Sequence, residues 1–323
     1  MAMTPDQANW FSQAFQQLEA NVGQAILGKH RVIRLAIACM LAEGHLLLED
    51  APGTGKTALA RSIAATVAGT DSRIQFTPDL LPSDVTGVVI YDQRVREFEF
   101  RPGPIFASIV LADEINRASP KTQSALLEVM EEGRVTVDGV THETERPFMV
   151  IATQNPIEQA GTYRLPEAQL DRFLMKASIG YPDRQATVDI LRGARRDRAA
   201  DLTAVITTSA VADMADLGAT NGVDVAILDY ISRLCEETRI APETRIGVSV
   251  RGALAMTRLV KIWAAAQGRN FVIPDDVKDL ALPVWSHRLV MDPEAEFAGA
   301  TPAGVVTRLL KEVAPPQDRV LVS

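Results

Sequence analysis

Hydrophobic and polar positions follow two different patterns along the chain. Near the N-terminus, apolar residues recur with the spacing of an amphipathic helix. The face of this first helix begins after the predicted N-cap, Thr4, and consists of Trp10, Phe11, Ala14, Phe15 and Leu18. A second helix is predicted at residues 29–42. Beyond the second helix the apolar residues occur in short runs. These runs predict strands at residues 46–49, 73–77, 108–112, 148–153 and 174–180.

The strand pattern ends near residue 181, and helical patterns continue from there towards the C-terminus. They predict helices at residues 184–195, 224–237, 250–267, 274–289 and 301–313. Strands followed by a run of helices indicate an α/β domain joined to a helical domain. We therefore expect a first domain at residues 1–180 and a second, all-helical domain at residues 181–323.

Two β-hairpins are predicted as insertions into the α/β pattern. In the first, residues 88–91 and 97–100 flank a polar turn. In the second, residues 134–137 and 140–142 flank Asp138-Gly139, a pair that favours a type I′ turn. Each hairpin lies between two of the predicted main strands, so both are expected to be insertions between larger elements.

The segment after the first strand carries the most specific chemical signal. Residues 50–57 read Asp-Ala-Pro-Gly-Thr-Gly-Lys-Thr and lead into a helical pattern at 58–67. Backbone N–H groups of a glycine-rich turn, with the N-terminus of the next helix, can surround phosphate oxygens. Lys56 can neutralise the β- and γ-phosphates, and the Thr57 hydroxyl can hold Mg²⁺. The predicted nucleotide-binding residues are Asp50, Ala51, Pro52, Gly53, Thr54, Gly55, Lys56, Thr57 and Ala58, joined by Asp113 from a later strand.

Polar side chains at the ends of two later strands can supply hydrolytic chemistry. The third strand ends in Asp113-Glu114, and the fourth leads into Asn155. Ligands of parallel sheets bind at the carboxyl ends of the strands. Asp113 is therefore predicted to hold Mg²⁺ through a water, and Glu114 to activate the attacking water as a general base. Asn155 can hydrogen-bond that water or a phosphate oxygen.

Charge and composition limit the partners and the location. The net charge is −8, which disfavours a dedicated nucleic-acid binder, because such proteins present a basic face. No apolar run has membrane-spanning length and no secretory signal is visible, so a cytoplasmic protein without a membrane partner is expected. Cys39 and Cys235 lie in apolar helical patterns and are expected to be buried free thiols.

Several longer stretches together resemble the MoxR family of AAA+ ATPases. They are Pro-Asp-Leu-Leu-Pro-Ser-Asp at 78–84, Phe-Arg-Pro-Gly-Pro-Ile-Phe at 100–106, Ala-Asp-Glu-Ile-Asn-Arg-Ala at 112–118, Lys-Thr-Gln-Ser-Ala-Leu-Leu-Glu at 121–128, Ala-Thr-Gln-Asn-Pro at 152–156 and Leu-Pro-Glu-Ala-Gln-Leu-Asp-Arg-Phe at 165–173. The resemblance runs through most of residues 22–180. It is looser in the helical part, where Ser-Val-Arg-Gly-Ala at 249–253 is the clearest match. Asp50 fits this family, whose loops often carry Glu-Asp before the glycine-rich turn.

The resemblance implies a core with a five-stranded parallel sheet in the order 5-1-4-3-2, two hairpin inserts and a helical lid. It implies that Asn155 is the sensor-1 residue and Arg251 the sensor-2 residue of the lid. Arg172 resembles an arginine finger, which reaches the γ-phosphate held by a neighbouring subunit. Arg164 stands where the family usually has proline and competes with Arg172 for this role. Residues 22–28 match the adenine-contacting segment, although their apolar members serve equally well as core.

The function implied by the resemblance is Mg²⁺-dependent ATP hydrolysis in a homo-oligomeric, hexameric ring. Hydrolysis would drive remodelling, maturation or cofactor insertion of a client protein, with a von Willebrand factor A (VWA) domain protein as partner. A nucleic-acid motor is an alternative and would use basic hairpin tips, but only the first tip, with Arg94 and Arg96, is basic. A module that binds ATP only as a switch is disfavoured by the intact Asp113-Glu114 pair.

Overall fold

The computed structural model describes residues 2–50, 53–94, 96–154, 163, 165–182, 184–191 and 198–316. The chain forms two compact units. The core unit contains the described residues of Phe15–Phe173 and Ala177–Met214, and the helical unit those of Met1–Ala14, Leu174–Lys176 and Ala215–Ser323. These units are defined by compactness, so the functional boundary expected at residue 180 stays a prediction.

The elements alternate in the core unit and become mostly helical after it. In chain order the strands are β1 (Leu46–Glu49), β2 (Asp71–Gln75), β3 (Gly87–Asp92), β4 (Glu97–Pro102), β5 (Ile109–Asp113), β6 (Arg134–Val137), β7 (Val140–Glu143), β8 (Met149–Gln154), β9 (Met175–Ala177), β10 (Thr244–Ile246) and β11 (Val290–Met291). The helices are α1 (Pro5–Ala25), α2 (His30–Leu41), α3 (Lys56–Thr66), α4 (Pro82–Thr86), α5 (Pro120–Glu132), α6 (Glu167–Leu170), α7 (Arg184–Leu191), α8 (Thr208–Ala219), α9 (Val225–Ile240), α10 (Val250–Ala266), α11 (Pro274–Trp285), α12 (Pro293–Phe297) and α13 (Pro302–Glu312).

Five strands form one sheet in the order β2-β5-β8-β1-β9, which confirms the predicted order of the five main strands. The pairs β2–β5, β5–β8 and β1–β8 are parallel, with Gln75 opposite Asp113 and Glu49 opposite Gln154. The central strands β5 and β8 are almost entirely buried. Burial on both faces explains why their sequences are continuous apolar runs without alternation. The carboxyl ends of β1, β5 and β8 therefore lie along one edge of the sheet.

Two of the main strands end two or more residues earlier than predicted. β2 begins and ends two residues earlier than expected, at Asp71 and Gln75. It is an edge strand with only one buried residue, Ile74, so its sequence marks its ends weakly. β9 covers only Met175–Ala177 of the expected residues 174–180. It ends there because the next residues turn to hydrogen-bond Asp50 rather than a neighbouring strand.

Helix ends follow local sequence signals. The Thr4 N–H donates to Gln7 Oε1 at 2.9 Å and the Gln7 N–H donates to Thr4 Oγ1 at 3.3 Å, the reciprocal capping predicted for α1. α5 begins after Ser119, whose hydroxyl accepts from the Thr122 N–H. It ends at Gly133, which has a φ of 64°, a left-handed conformation that glycine adopts without a steric penalty.

Both predicted hairpins are present as separate two-stranded sheets, β3–β4 and β6–β7. Asp138 and Gly139 have φ values of 48° and 80°, as a type I′ turn requires. The Phe100 ring of β4 stacks on the His142 ring of β7, with centroids 3.8 Å apart and an interplanar angle of 17°. The two hairpins are therefore joined by a direct ring contact.

The helical unit is built around α9, α10, α11 and α13, which pack on one another. Its largest buried side chains include Trp285 and Tyr230. An antiparallel ribbon of β10 and β11 accompanies the helices, an addition to the all-helical domain expected from sequence. The ribbon strands have three and two residues, too few to leave an alternating pattern. Within the described parts of the chain, no helix is long and apolar enough to cross a membrane.

Neither cysteine forms a disulfide and both are buried, as predicted. Cys39 lies on α2 and Cys235 on α9. Burial raises the pKa of the Cys235 thiol to about 12. Since the thiolate is the reactive form, Cys235 is chemically protected in the folded protein.

Candidate nucleotide site

Residues 53–55 of the glycine-rich segment form a turn directly before α3. Gly53 and Gly55 have φ values of 82° and 99°, a region that side chains with a Cβ rarely adopt. Gly55 is the N-cap of α3. No heavy atom of the described chain lies within 4 Å of a Cβ added at either glycine, so the space beside the turn is open. Ala51 and Pro52, also predicted to bind nucleotide, lie outside the described residues.

The first turn of α3 carries the predicted phosphate-binding side chains. Lys56, Thr57 and Ala58 are half-buried and open the helix. Lys56 Nζ donates to the carbonyl oxygen of Asp50 at 3.2 Å. This hydrogen bond links the first residue of α3 to the residue that follows β1. Because the first N–H groups of a helix have no partner within it, this turn presents donors and a positive dipole end beside the open space.

The Asp50 carboxylate is bound by the segment that follows β9. It accepts hydrogen bonds from Ser178 Oγ at 2.7 Å, from the Ile179 N–H at 2.7 Å and from the Gly180 N–H at 2.9 Å. Asp50 is 5% exposed. Its side chain therefore fastens the start of the loop to the segment after β9. Its backbone is engaged as well, since its N–H donates to the Gln154 carbonyl oxygen at 3.4 Å and its own carbonyl oxygen accepts from Lys56. The nucleotide contact expected of Asp50 therefore stays a prediction.

The acidic pair lies at the end of β5. Thr153 Oγ1 of β8 donates to Asp113 Oδ1 at 2.7 Å and accepts from the Glu114 N–H at 2.9 Å. The second Asp113 oxygen accepts from Arg73 Nη2 at 2.6 Å. Glu114 has a φ of 58° and a ψ of 49°. A left-handed conformation at a residue with a side chain is strained, and such strain concentrates at functional sites.

Two further side chains contact the Glu114 carboxylate. Arg117 Nη1 donates to Glu114 Oε2 at 2.8 Å, and Gln75 Nε2 donates to the same oxygen at 3.1 Å. Arg73 and Gln75 are also joined, at 3.0 Å. Each acidic side chain thus has one arginine partner, and β2 supplies a contact to both.

Sequence reasoning had missed Arg73, Gln75 and Thr153. The signal for the first two was the alternation of β2, which puts residues 73 and 75 on one face of the sheet. The parallel register then places Gln75 opposite Asp113. Arg117 forms an ion pair with Glu114.

The structure describes only some of the remaining predicted residues. Arg172 follows α6, and its Nη2 lies 3.2 Å from Glu131 Oε2 in an ion pair at the end of α5. Arg251 is exposed in the first turn of α10, within the helical unit. Asn155 and Arg164 lie outside the described residues. In the segment predicted to contact adenine, Val22 and Ile26 are buried.

Comparisons with known proteins agree with this arrangement. The ATPase family associated with various cellular activities (AAA) matches residues 45–175, and the AAA lid domain matches residues 236–309. The uncharacterized protein YeaC of Bacillus subtilis is 46% identical over 94% of this chain and 95% of its own. Chaperone MoxR1 of Mycobacterium tuberculosis is 40% identical over 92% of this chain and 81% of its own. Protein MoxR of Paracoccus denitrificans is 32% identical over 90% of this chain and 92% of its own.

The fold of a solved structure also matches. A crystal structure of a protein from Cytophaga hutchinsonii, described as a candidate ATPase, has a TM-score of 0.90 and 33% identity, and the match covers 97% of this chain and 98% of that chain. The AAA region contains the glycine-rich turn and the acidic pair, and the lid region contains Arg251. Together with the extended identity to MoxR relatives, these matches show that the chain belongs to the MoxR family of AAA+ ATPases.

Proposed function

We propose that the chain binds ATP with Mg²⁺ at the carboxyl edge of its sheet and hydrolyses it. The observation that carries this proposal is the convergence at one edge of the glycine-rich turn after β1 and the acidic pair at the end of β5. Both strands pair with β8, so the two groups flank the same strand end. A site at the strand ends with a helix N-terminus is the usual place for a phosphate ligand in this kind of sheet.

The residues fit the proposed ligands in charge and in donor type. The open space beside Gly53 and Gly55 leaves room for phosphate oxygens next to backbone N–H groups. Lys56 supplies a positive charge in the same turn. Thr57 and Asp113 offer oxygen ligands, which Mg²⁺ prefers, and Mg²⁺ in such sites takes its remaining ligands from phosphates and water. When bound, Mg²⁺ would offset negative charge on the phosphates.

Glu114 is proposed as the general base. Its backbone is fixed by Thr153, and its carboxylate is held between Gln75 and Arg117. A carboxylate in a fixed position can orient a water and accept its proton. Asn155, next along the chain from β8, is proposed to orient the same water.

Variants at the two ends of this site test the proposal. Lys56→Ala should abolish ATP binding in a fluorescent-nucleotide titration, because it removes the phosphate-neutralising charge. Glu114→Gln should keep ATP binding and lower kcat by about 10²–10⁴-fold, the usual contribution of a positioned general base. The matched control is Glu132→Gln, which removes an exposed carboxylate paired with Arg134 and should leave kcat unchanged. Normal turnover in the Glu114→Gln protein would refute the assignment of the base.

Hydrolysis is proposed to serve chaperone-like remodelling of a client protein. Arg172 is useful as a finger only if it reaches another subunit, so the proposal includes a ring, hexameric by family resemblance. The proposed client-contacting element is hairpin β3–β4. Tyr91 and Phe98 face each other across it with ring centroids 5.2 Å apart, and they are 49% and 76% exposed. A VWA-domain partner and a role in maturation or cofactor insertion are part of the same proposal.

A nucleic-acid motor remains the alternative, and one observation favours it. Arg94 and Arg96 at the tip of hairpin β3–β4 are exposed. However, the Arg94 Nη2 atom lies 3.3 Å from Asp92 Oδ2, so part of its charge is already balanced. DNA-stimulated ATP turnover that falls steeply with salt would support this alternative over a protein client.

A further inference from the structure

Arg288 is a buried arginine outside the proposed nucleotide site. It lies in the 3₁₀ turn Ser286–Arg288 that follows α11 and is 7% exposed. Its Nη1 atom donates to the carbonyl oxygens of Val284 and Leu174, the latter at 3.2 Å, and contacts His287 Nε2 at 2.9 Å. Burying a guanidinium group is costly unless its N–H groups are used, so these contacts hold the side chain in one position.

The methylene stem of Arg288 lies against the first turn of α10. A Cβ added at Gly252 would lie 2.9 Å from Arg288 Cδ and 2.6 Å from Val248 Cγ1, so only glycine leaves room for the stem. Trp285 Nε1 also donates to the Gly252 carbonyl oxygen, at 3.2 Å. The turn of α10 that carries Arg251 is therefore fastened to the segment around Arg288 by two independent contacts.

The guanidinium end of Arg288 holds a different segment. Leu174, whose carbonyl accepts from Arg288, is 2% exposed and stands two residues after Arg172 in the chain. One side chain thus contacts the backbone beside Arg251 and the backbone just beyond Arg172. A movement of the first turn of α10 would move the stem of Arg288, and with it the hydrogen bond to Leu174.

We propose that Arg288 is a positioning residue that couples Arg251 to Arg172. The proposal rests on the roles proposed above, in which Arg251 senses the nucleotide of its own subunit and Arg172 serves the neighbouring one. Through Arg288, ATP bound in one subunit sets the position of the arginine offered to the next subunit.

Hydrogen exchange in the Glu114→Gln background, which holds ATP without turnover, tests this coupling. Addition of ATP should slow exchange of the backbone amides of residues 172–177 by about fivefold or more when Arg288 is present. In Arg288→Gln this response should fall below about twofold, while ATP affinity and the protection of residues 53–58 are retained. A merely structural role would instead lower protection throughout the chain and without regard to ATP.

A second variant and a control complete the experiment. Gly252→Ala keeps Arg288 but displaces its stem, and it raises helix propensity, so a lost response cannot come from a weakened helix. It decides the outcome if Arg288→Gln does not fold. Arg308→Gln, which removes an arginine paired with Glu243 and Glu312, should leave the response intact.

A full response in both Arg288→Gln and Gly252→Ala would overturn the coupling, as would an equal loss in Arg308→Gln. If the parent protein binds no ATP, or if Arg172→Ala turns over normally, the proposed function fails instead. Those two results are measured before exchange is compared, so the two kinds of failure are distinguishable.

Discussion

Asp50 connects the glycine-rich turn to the rest of the core through its backbone carbonyl group and its side-chain carboxylate. Its carbonyl oxygen accepts from Lys56, and its carboxylate accepts from Ser178, Ile179 and Gly180. A buried carboxylate is stable in this position because one hydroxyl and two backbone N–H groups satisfy its oxygens. Asp50 therefore stabilises the loop geometry on which nucleotide binding would depend.

Replacing this carboxylate should destabilise the fold. Asp50→Ala leaves the N–H groups of Ile179 and Gly180 without their acceptor, and we expect the free energy of unfolding to fall by about 2–4 kcal/mol. Urea denaturation followed by circular dichroism measures the change. Asp229→Ala is the matched control, since it removes an exposed carboxylate from an ion pair with Arg233 and should change stability by less than about 0.5 kcal/mol. Equal stabilities for the two variants would show that the Asp50 contacts contribute nothing.

Single residues differ in how far sequence could reveal them. Asp113 and Glu114 follow an apolar run, so a local pattern was enough to locate them. Arg73, Gln75 and Thr153 acquire their roles from strand register, which places β2 and β8 on either side of β5. The partner of Asp50 at Ser178 is 128 residues away, a separation across which no periodic pattern could have indicated the contact.

Hairpin β3–β4 carries packed aromatic rings near its base and exposed aromatic rings further out. At the base of β4, Phe100 stacks on His142 and meets the Phe106 ring edge-on, with centroids 5.7 Å apart. Further out on the same face, Tyr91 and Phe98 are exposed. Two neighbouring exposed rings are a candidate contact surface, and they are the reason for proposing that the outer part of hairpin β3–β4 contacts a client.

Removing one of these rings should reduce client capture without affecting the site. In the Glu114→Gln background, Phe98→Ser should lower the amount of protein that co-purifies with the chain by about fivefold, because its ring is the most exposed of the pair. ATP binding should be unchanged. Phe297→Ser, which removes a ring that is 96% exposed in the helical unit, is the matched control. Equal capture by Phe98→Ser and the parent protein would remove hairpin β3–β4 from the proposed client surface.

Element types were predictable where the chain has a sustained period or a strong turn signal. The Asp138-Gly139 turn and the Gly133 helix end are examples, because both depend on backbone angles that few residues tolerate. The ribbon β10–β11 and the end of β9 were not predictable from local pattern. Their extent is set by pairing partners and by hydrogen bonds to Asp50, which are features of the folded chain.

At the scale of the whole molecule, the proposed mechanism calls for a second chain, because Arg172 is proposed to act on the nucleotide of a neighbouring subunit. Arg172 is paired with Glu131 on its own subunit, and that ion pair is partly exposed, with 29% and 40% of the two side chains accessible. Exposed ion pairs contribute little stability, so Arg172 can exchange this partner for a phosphate at low cost. Ring assembly would supply that alternative partner.

Mixing two inactive variants tests this arrangement. Lys56→Ala lacks a working loop but keeps Arg172, whereas Arg172→Ala has the reverse defect. In a mixed ring, about a quarter of the interfaces combine an intact loop with an intact arginine from the neighbour, so about a quarter of wild-type turnover should return. Steady-state ATP hydrolysis and co-elution of differently tagged subunits are measured together. Co-elution without recovered turnover would exclude a shared site, and recovery only with Arg164→Ala would identify the other arginine.

The two buried thiols make the protein convenient for site-directed labelling. Cys39 and Cys235 are 0% and 1% exposed, and the pKa of the Cys235 thiol is raised to about 12. A maleimide dye should therefore react with a newly introduced surface cysteine and leave both native ones untouched. Donor and acceptor fluorophores could be attached to hairpin β3–β4 and to α13 without first building a cysteine-free background. The distance between hairpin and lid could then be followed by energy transfer in the otherwise native chain.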